Sequence, residues 1–469
     1  MAIHIRPSPF MPSGGIMEWL MKRAEELARK HGVDYYEIRL IKVTSRRLAM
    51  SNGQLRELSS NSELGVGARA FNGAWGFSSA NDRERFEKAI ETAMKIAKLS
   101  RGDARIYLGD PVRDEVELRV KKPFTAVDIE EALSLVKEID GMLKGEKIVN
   151  RNVSYGDSVV ETLYFNSLGS EIRTVVPRIR LGFSVTAREN GSMQDFWKSF
   201  GGTVGWELIE GIDIDYWTSH VKEKVFELLR ASSPPSGEMD VIADPELTGV
   251  FIHEALGHAV EADSVKNGDS ILAGKLGEKI AVEGLNVVDD PTLPGKFGSY
   301  PYDDEGIRAK RVEIIRDGVL VNYLNDRETA EYFGLEPNGH ARAESYAYQP
   351  LVRMSNTYVE PGDWSFEEML EEVRNGLYML GDKGGEVDTA NGTFTFGAKL
   401  GYIVENGELK EPVRDVALSG KILDVLKNIR AIGNDTRVEF PGYCGKGQWV
   451  PVDDGGPHIL TRALVGGLR

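Results

Sequence analysis

The segment FIHEALGHAVEAD, residues 251–263, brings His253, Glu254 and His258 within six positions. Two imidazoles and a carboxylate at such spacing are the groups from which a metal site and its general base are built. The motif is one residue longer than the His-Glu-x-x-His zinc helix. At about 100° of rotation per residue, histidines four apart differ by about 40°, whereas His253 and His258, five apart, point roughly 140° apart on a regular helix. Three arrangements are open: the helix widens into a π-turn, it bends, or the histidines form a hydrogen-bonded structural pair. Gly257, directly before the second histidine, lowers the cost of a local distortion. Glu254 and His258 stand four apart, so in an under-wound helix Glu254 lies beside the ion as a candidate general base.

A helix that aims such a site needs a firm start, and Asp244-Pro245 supplies one: an N-cap followed by proline at the first helical position. Just before it, ASSPPSG at residues 231–237 can neither continue a helix nor pair inside a sheet, so a unit boundary is expected at residue 236. Upstream, residues 17–31 read as an amphipathic helix ending before Gly32. Asn52-Gly53 and Asn72-Gly73 mark tight hairpins, and Asn81 or Asp82 opens a second helix to about residue 100. A second unit holds helices near 126–143 and 214–230 with long strands between them. The expected fold is α+β. An N-terminal unit (1–111) and a middle unit (112–236), each with antiparallel sheets and helices, precede a large, mostly antiparallel β unit (237–469) that carries the His-Glu helix. Short helices are expected near residues 366–376 and 419–432.

Composition narrows the function. With 469 residues, 41% hydrophobic and 28% charged, the chain can form several ordinary cores. A net charge of −16 argues against nucleic acid or an anionic membrane as partner, since both are gripped by clustered Lys and Arg. No apolar run is long enough to span a bilayer. The opening MAIHIRPSPFMPSGG lacks the apolar stretch of a secretory signal and reads as a loose lead-in. The single cysteine, Cys444, permits no internal disulfide, which fits a cytoplasmic protein.

HEALGHAVEAD resembles the His-Glu-x-x-x-His signature of the TldD/PmbA metalloprotease family, in its TldD-like branch. GYCGKGQWVPVDDGGP, residues 442–457, resembles that family's C-terminal cysteine segment. ARAESYAYQPLVRMSNTYVEPGD, residues 341–363, and the three-unit layout extend the likeness over essentially the whole chain. The resemblance implies His253, His258 and Cys444 as ligands of one zinc ion per chain, with Glu254 as catalytic base. It also suggests Arg342, Arg353 and Asn356 as contacts to substrate or to the site. The implied activity is zinc-dependent hydrolysis of peptides or unfolded polypeptide segments by metal-activated water, in a chamber enclosed by a dimer. That dimer is either homodimeric or formed with a TldE/PmbA-like subunit that lacks the histidines. Two other readings stay open: a non-catalytic, partner-binding regulator of the DNA gyrase modulator type, and a metal-dependent hydrolase of non-peptide amides. His340 and His458, the other histidines of this unit, read as surface or supporting residues. The acids of YPYDDEG, residues 300–306, read as a solvated loop, and the glycines of residues 381–397 as turns instead of a phosphate cradle.

Overall fold

Asn52 and Gly53 both adopt positive φ (51° and 76°), the conformation whose twist matches a two-residue hairpin, and they join Tyr35–Ser51 to Gln54–Phe71. The computed structural model describes residues 15–100 and 102–467; the lead-in expected at residues 1–15 lies outside them except for Gly15, which opens the helix Gly15–His31. Asp82 caps the turn that leads into the helix Phe86–Leu99. The first sheet runs on beyond the first expected unit. Tyr35–Ser51 also pairs along its length with Ile148–Asn166, which pairs in turn with Glu171–Glu189. Ser192–Gly202 and Arg113–Glu117 share the other edge of Glu171–Glu189, and Trp75–Ala80 pairs with Gln54–Phe71 at the far end, completing seven strands.

Strand alternation gives this sheet two distinct faces. On Tyr35–Ser51 the even-numbered Tyr36, Ile38 and Leu40 bury against the helices Gly15–His31 and Phe86–Leu99. Leu48 and Met50, on the same side, meet the helices Ile129–Met142 and Ile214–Arg230. The odd-numbered face carries Tyr35, Glu37 and Arg39, all buried, and meets the C-terminal part of the chain. There Arg39 Nη1 donates to Asp304 Oδ1 at 2.7 Å, and Arg69 Nη2 to Glu305 Oε1 at 2.7 Å. The acids of residues 300–306 are therefore not a solvated loop. Asp303 and Glu305 are buried, Asp303 accepts backbone N–H groups from Glu305 and Ile307, and Glu305 accepts from the Arg327 backbone. The counter-ions of Asp304 and Glu305 come from strands more than two hundred residues away, which no local run of charge reveals.

Among the described residues the C-terminal part holds two large, mostly antiparallel sheets and a two-stranded one, Ala341–Arg342 with Leu351–Val352. In one, Asn375–Asp388, Gly237–Ala243, Ile459–Gly467, Val416–Lys421 and Thr393–Glu405 follow in order, and the last pairs back onto the first, closing a small barrel. The other ends on Asn356–Val359, Trp449–Gly456 and Arg437–Gly445. The helix Pro245–Ile252 leaves the barrel strand Gly237–Ala243 and lies between the sheets; Leu247, Phe251 and Ile252 join a core with Phe394, Phe396, Val450 and Val452. The glycines of residues 381–397 fall on the hairpin Asn375–Asp388 and Thr393–Glu405 and its turn. No helix among the described residues is long and apolar enough to cross a membrane.

Candidate metal centre

Asp244 accepts the Leu247 backbone N–H at 2.8 Å, and Pro245 occupies the first turn, as expected. The α-helix runs to Ile252 and then widens: residues His253–Gly257 form a π-turn, with the His258 N–H donating to the carbonyl of His253. This i to i+5 bond inserts one extra residue per turn and brings histidines five apart to the same side. Their ring centroids are 5.3 Å apart. Gly257 works differently from expectation. Its backbone is ordinary right-handed helix (φ −56°, ψ −51°), so it is not relieving torsional cost. A Cβ there would lie 1.9 Å from Met354 Sδ; the missing side chain makes room for a buried neighbour.

Cys444 arrives on the strand Arg437–Gly445, and its Sγ lies 3.5 Å from His258 Nε2. A tetrahedral ion with nitrogen at about 2.0 Å and sulfur at about 2.3 Å would set that separation near 3.5 Å. One donor atom each from His253, His258 and Cys444 lie within 4.8 Å of one another. Two imidazoles and a thiolate suit zinc, so the residues present fit the ion the motif implies. Glu254 Oε2 is 3.7 Å from His258 Nε2, and its side chain remains 33% exposed, so solvent reaches it.

Two carboxylates that sequence reasoning did not single out hold the imidazoles. Asp454 Oδ1 lies 2.7 Å from His253 Nδ1, and Glu261 Oε2 lies 3.1 Å from His258 Nδ1. A carboxylate partner makes each Nδ1 the protonated nitrogen and leaves Nε2 with its lone pair for a metal. Glu261 had a local signal, three residues after His258. Asp454 had none, because nothing in DDGG tells which acid faces a helix two hundred residues earlier. The strand Trp449–Gly456 approaches that helix through missing side chains: a Cβ on Gly249 would meet Gly455 N at 2.5 Å, and one on Gly456 would meet Thr248 Cγ2 at 2.5 Å.

Arg342, Arg353 and Asn356 turn toward the backbone. Arg353, fully buried, donates to the carbonyls of Cys444 (2.6 Å) and Gln448 (3.0 Å), fixing the turn after the cysteine. Arg342 donates to the carbonyls of Met354 and Pro451, and Asn356 to that of Asp290. All three support the scaffold and leave no side chain for substrate. His340 bonds Asp289, and His458 bonds Asp435 and Tyr378; neither joins the cluster.

The local field favours positive charge. Burial pulls His253 down, but the Asp454 carboxylate and Cys444 outweigh it and hold the imidazole well above its ordinary value. Burial is likewise outweighed at His258, which Glu261 and Cys444 raise to about 10. Burial pushes Cys444 up, yet the two histidines bring it down to about 6. An environment that favours protons on these imidazoles also favours a divalent cation, whose binding displaces them.

Descriptions of PmbA/TldA metallopeptidase domains match the chain in order: domain 1 at residues 36–97, the central domain at 122–231 and the C-terminal domain at 236–467. A protein of Methanothermobacter thermautotrophicus named metalloprotease is 45% identical over 93% of this chain and 96% of its own length. The zinc metalloprotease TldD homolog of Saccharolobus solfataricus is 32% identical, covering 95% of this chain and 99% of its own. Among solved structures, TldE from Thermococcus kodakarensis shares the fold, with a TM-score of 0.76 at 19% identity over 96% of this chain and all of the other. Three domain matches in series and relatives alike over more than nine-tenths of the length establish that the chain belongs to the PmbA/TldD metallopeptidase family.

Proposed function

We propose that this metallopeptidase uses zinc, held by His253, His258 and Cys444, to hydrolyse peptides or unfolded polypeptide segments, with Glu254 as general base. The observation that carries the reading is the convergence of the three donors on a π-turn, each imidazole braced by a carboxylate. Zinc there would supply Lewis acidity toward the scissile carbonyl and the attacking water. Asp454 and Glu261 keep the Nδ1 protons in place, so both Nε2 atoms stay available as ligands. Lys446, 3.0 Å from Glu261, balances its buried charge. Glu254, beside His258 and open to solvent, takes a proton from water and hands it to the departing amine.

The strand Arg437–Gly445, which carries Cys444, is the terminal strand of its sheet. An extended substrate backbone can add to such an edge with little sequence preference. Low preference suits unfolded chain, which a chamber enclosed by a dimer would admit while excluding folded protein. The dimer is homotypic or formed with a TldE/PmbA-like subunit. Three units meeting near residues 111 and 236, in a cytoplasm that keeps Cys444 reduced, complete the reading.

Metal analysis should find about one zinc per chain, with none retained by the His253→Ala variant. Glu254→Gln should keep the metal and lose hydrolysis of an unstructured peptide by about a hundredfold or more. Cleavage by that variant at the parent rate would exclude Glu254 as base. A panel of small non-peptide amides, left intact while the peptide is cut, separates peptidase from amidohydrolase.

A further inference from the structure

We propose that the groove between the odd-numbered face of the seven-stranded sheet and the strand Arg437–Gly445 binds an acidic stretch of the substrate polypeptide, outside the segment that is cut. The proposal rests on the peptidase reading above and adds to it a preference in binding. The groove encloses about 480 Å³; Arg47, Arg178, Arg180 and Glu57 line it from the sheet, and Phe297 and Tyr443 from the C-terminal part. That size falls within the roughly 300–1,000 Å³ of ligand-binding clefts. Arg180 also lines the smaller cavity bordered by Asp454, the partner of His253, and Tyr443 directly precedes Cys444 on its strand. The groove therefore ends beside the metal donors.

The register places the three arginines on one face. Arg47 stands opposite Gly156 and Gly156 opposite Arg180; two residues along, Ser45 stands opposite Ser158 and Ser158 opposite Arg178. Directly opposed residues project to the same side, here the side of Tyr35, Glu37 and Arg39. Asp157, another acid of the lining, takes the opposite side, where Arg46 holds it at 2.6 Å. Among the described residues no acid forms an ion pair with Arg47, Arg178 or Arg180. Arg47 is exposed. Arg178 donates to the carbonyls of Phe297 and Ser299, and burial together with the Arg342 charge lowers it to about 10; Asp304, which acts against them, is held by Arg39. Arg180 Nε is buried without a hydrogen-bond partner, and Nη2 makes one long bond, 3.5 Å, to the Pro441 carbonyl. Burial lowers Arg180 as well, and the group acting against it is Tyr443, not a carboxylate. Glu57, the acid on the same face, is exposed and accepts the Ser59 hydroxyl at 2.8 Å. Between the arginines the floor is low, built from Ser45, Ala49, Ser154, Gly156 and Ser158. A Cβ on Gly156 would meet nothing nearer than the Arg46 carbonyl oxygen at 3.7 Å, so the space above that strand is open. Arg47 and Arg180 stand two strands, roughly 10 Å, apart and so meet separate carboxylates, as acids about three residues apart in an extended chain present them. Each guanidinium takes its carboxylate in charge-assisted, often bidentate, bonds. The net charge of −16 repels a polyanion over the rest of the surface, which directs an acidic segment to this groove.

The test uses full-length, zinc-loaded Glu254→Gln protein and fluorescent unstructured peptides that share a neutral core, extended by a Glu-rich stretch or by the same stretch with Gln in place of Glu. At low salt the Glu peptide should bind about tenfold more tightly than the Gln peptide, and the difference should shrink as salt is raised. Arg47→Gln combined with Arg180→Gln should bring the preference below about threefold. Gly156→Leu, which fills the floor without changing a charge, should lower it as well. Lys88→Gln combined with Lys98→Gln removes exposed charges from the helix Phe86–Leu99, on the other face of the sheet, and should leave the preference intact. The groove's role is overturned if the Glu and Gln peptides bind alike, if the preference survives the change at Arg47 and Arg180, or if the change at Lys88 and Lys98 lowers it as much. An equally charged single-stranded oligonucleotide that binds more tightly than the Glu peptide overturns the assignment to polypeptide. Cleavage by the parent is read alongside. Peptides cut without a Glu preference remove the groove's role and keep the peptidase; a Glu preference without cleavage keeps the groove and removes the peptidase.

Discussion

Among single residues, the carboxylates behind the imidazoles make the sharpest claim. Asp454→Asn keeps the shape but replaces the charge on His253 Nδ1, and losses of this kind weaken metal binding by about 10- to 100-fold. Chelator competition measures it, with an unchanged circular dichroism spectrum as the control for folding. The neighbouring Asp453 makes an opposite prediction. Its Oδ2 accepts the Phe297 N–H at 3.1 Å, its Oδ1 is buried without a partner, and burial moves its carboxyl from the ordinary 3.8 up to about 7. A carboxyl harder to ionise in the fold than in the unfolded chain contributes in full below about 3.8, and the contribution is lost as pH rises through about 7. Asp453→Asn removes that loss. Its stability relative to the parent, by urea unfolding, should rise by about 2 kcal/mol or more between about pH 5 and pH 8. His253, Glu254 and His258 were legible because their spacing is itself a geometric statement. Cys444 was legible only through likeness to a known segment, and Asp454 not at all.

Among the elements, the π-turn decides whether the histidines act together. The Asp244-Pro245 start and the five-residue spacing were readable, and the widened turn follows from them once both rings must face one point. The reason for Gly257 was not readable, because Met354 comes from almost a hundred residues later. Gly257→Ala forces the Met354 sulfur away or opens the turn. The expected cost is about 1–3 kcal/mol by thermal or urea unfolding, with a fall in zinc affinity. Met354→Ala in the same chain should recover more than half of the stability loss. If it recovers none, the close approach is not what requires glycine.

Across the whole molecule, the seven-stranded sheet is a layer between helices and the C-terminal part, and buried charges join the sheet to the C-terminal part. Arg69 bonds Glu305 at 2.7 Å and lies 3.2 Å from Glu37, while its guanidinium sits 3.6 Å from the Trp75 ring. Arg69→Leu leaves two buried acids facing apolar surface, a change that costs about 3–5 kcal/mol. Urea unfolding of the full chain should show that loss, and a shift below about 1 kcal/mol would mean the acids find other partners.

Taken by itself, the sequence determined the α+β elements, the hairpin turns, the firm start of the motif helix and the two histidines and their glutamate as candidates for a metal site. These rest on periodicity, turn chemistry and capping, all written within a few residues of one another. Only the tertiary structure decided that the first two sets of strands form one sheet, that the acids of residues 300–306 are buried against arginines, and that Asp454 and Glu261 brace the imidazoles. The reason is physical: strand alternation and helical spacing say which side of an element a residue takes, but the partner across the gap is chosen by packing between segments hundreds of residues apart.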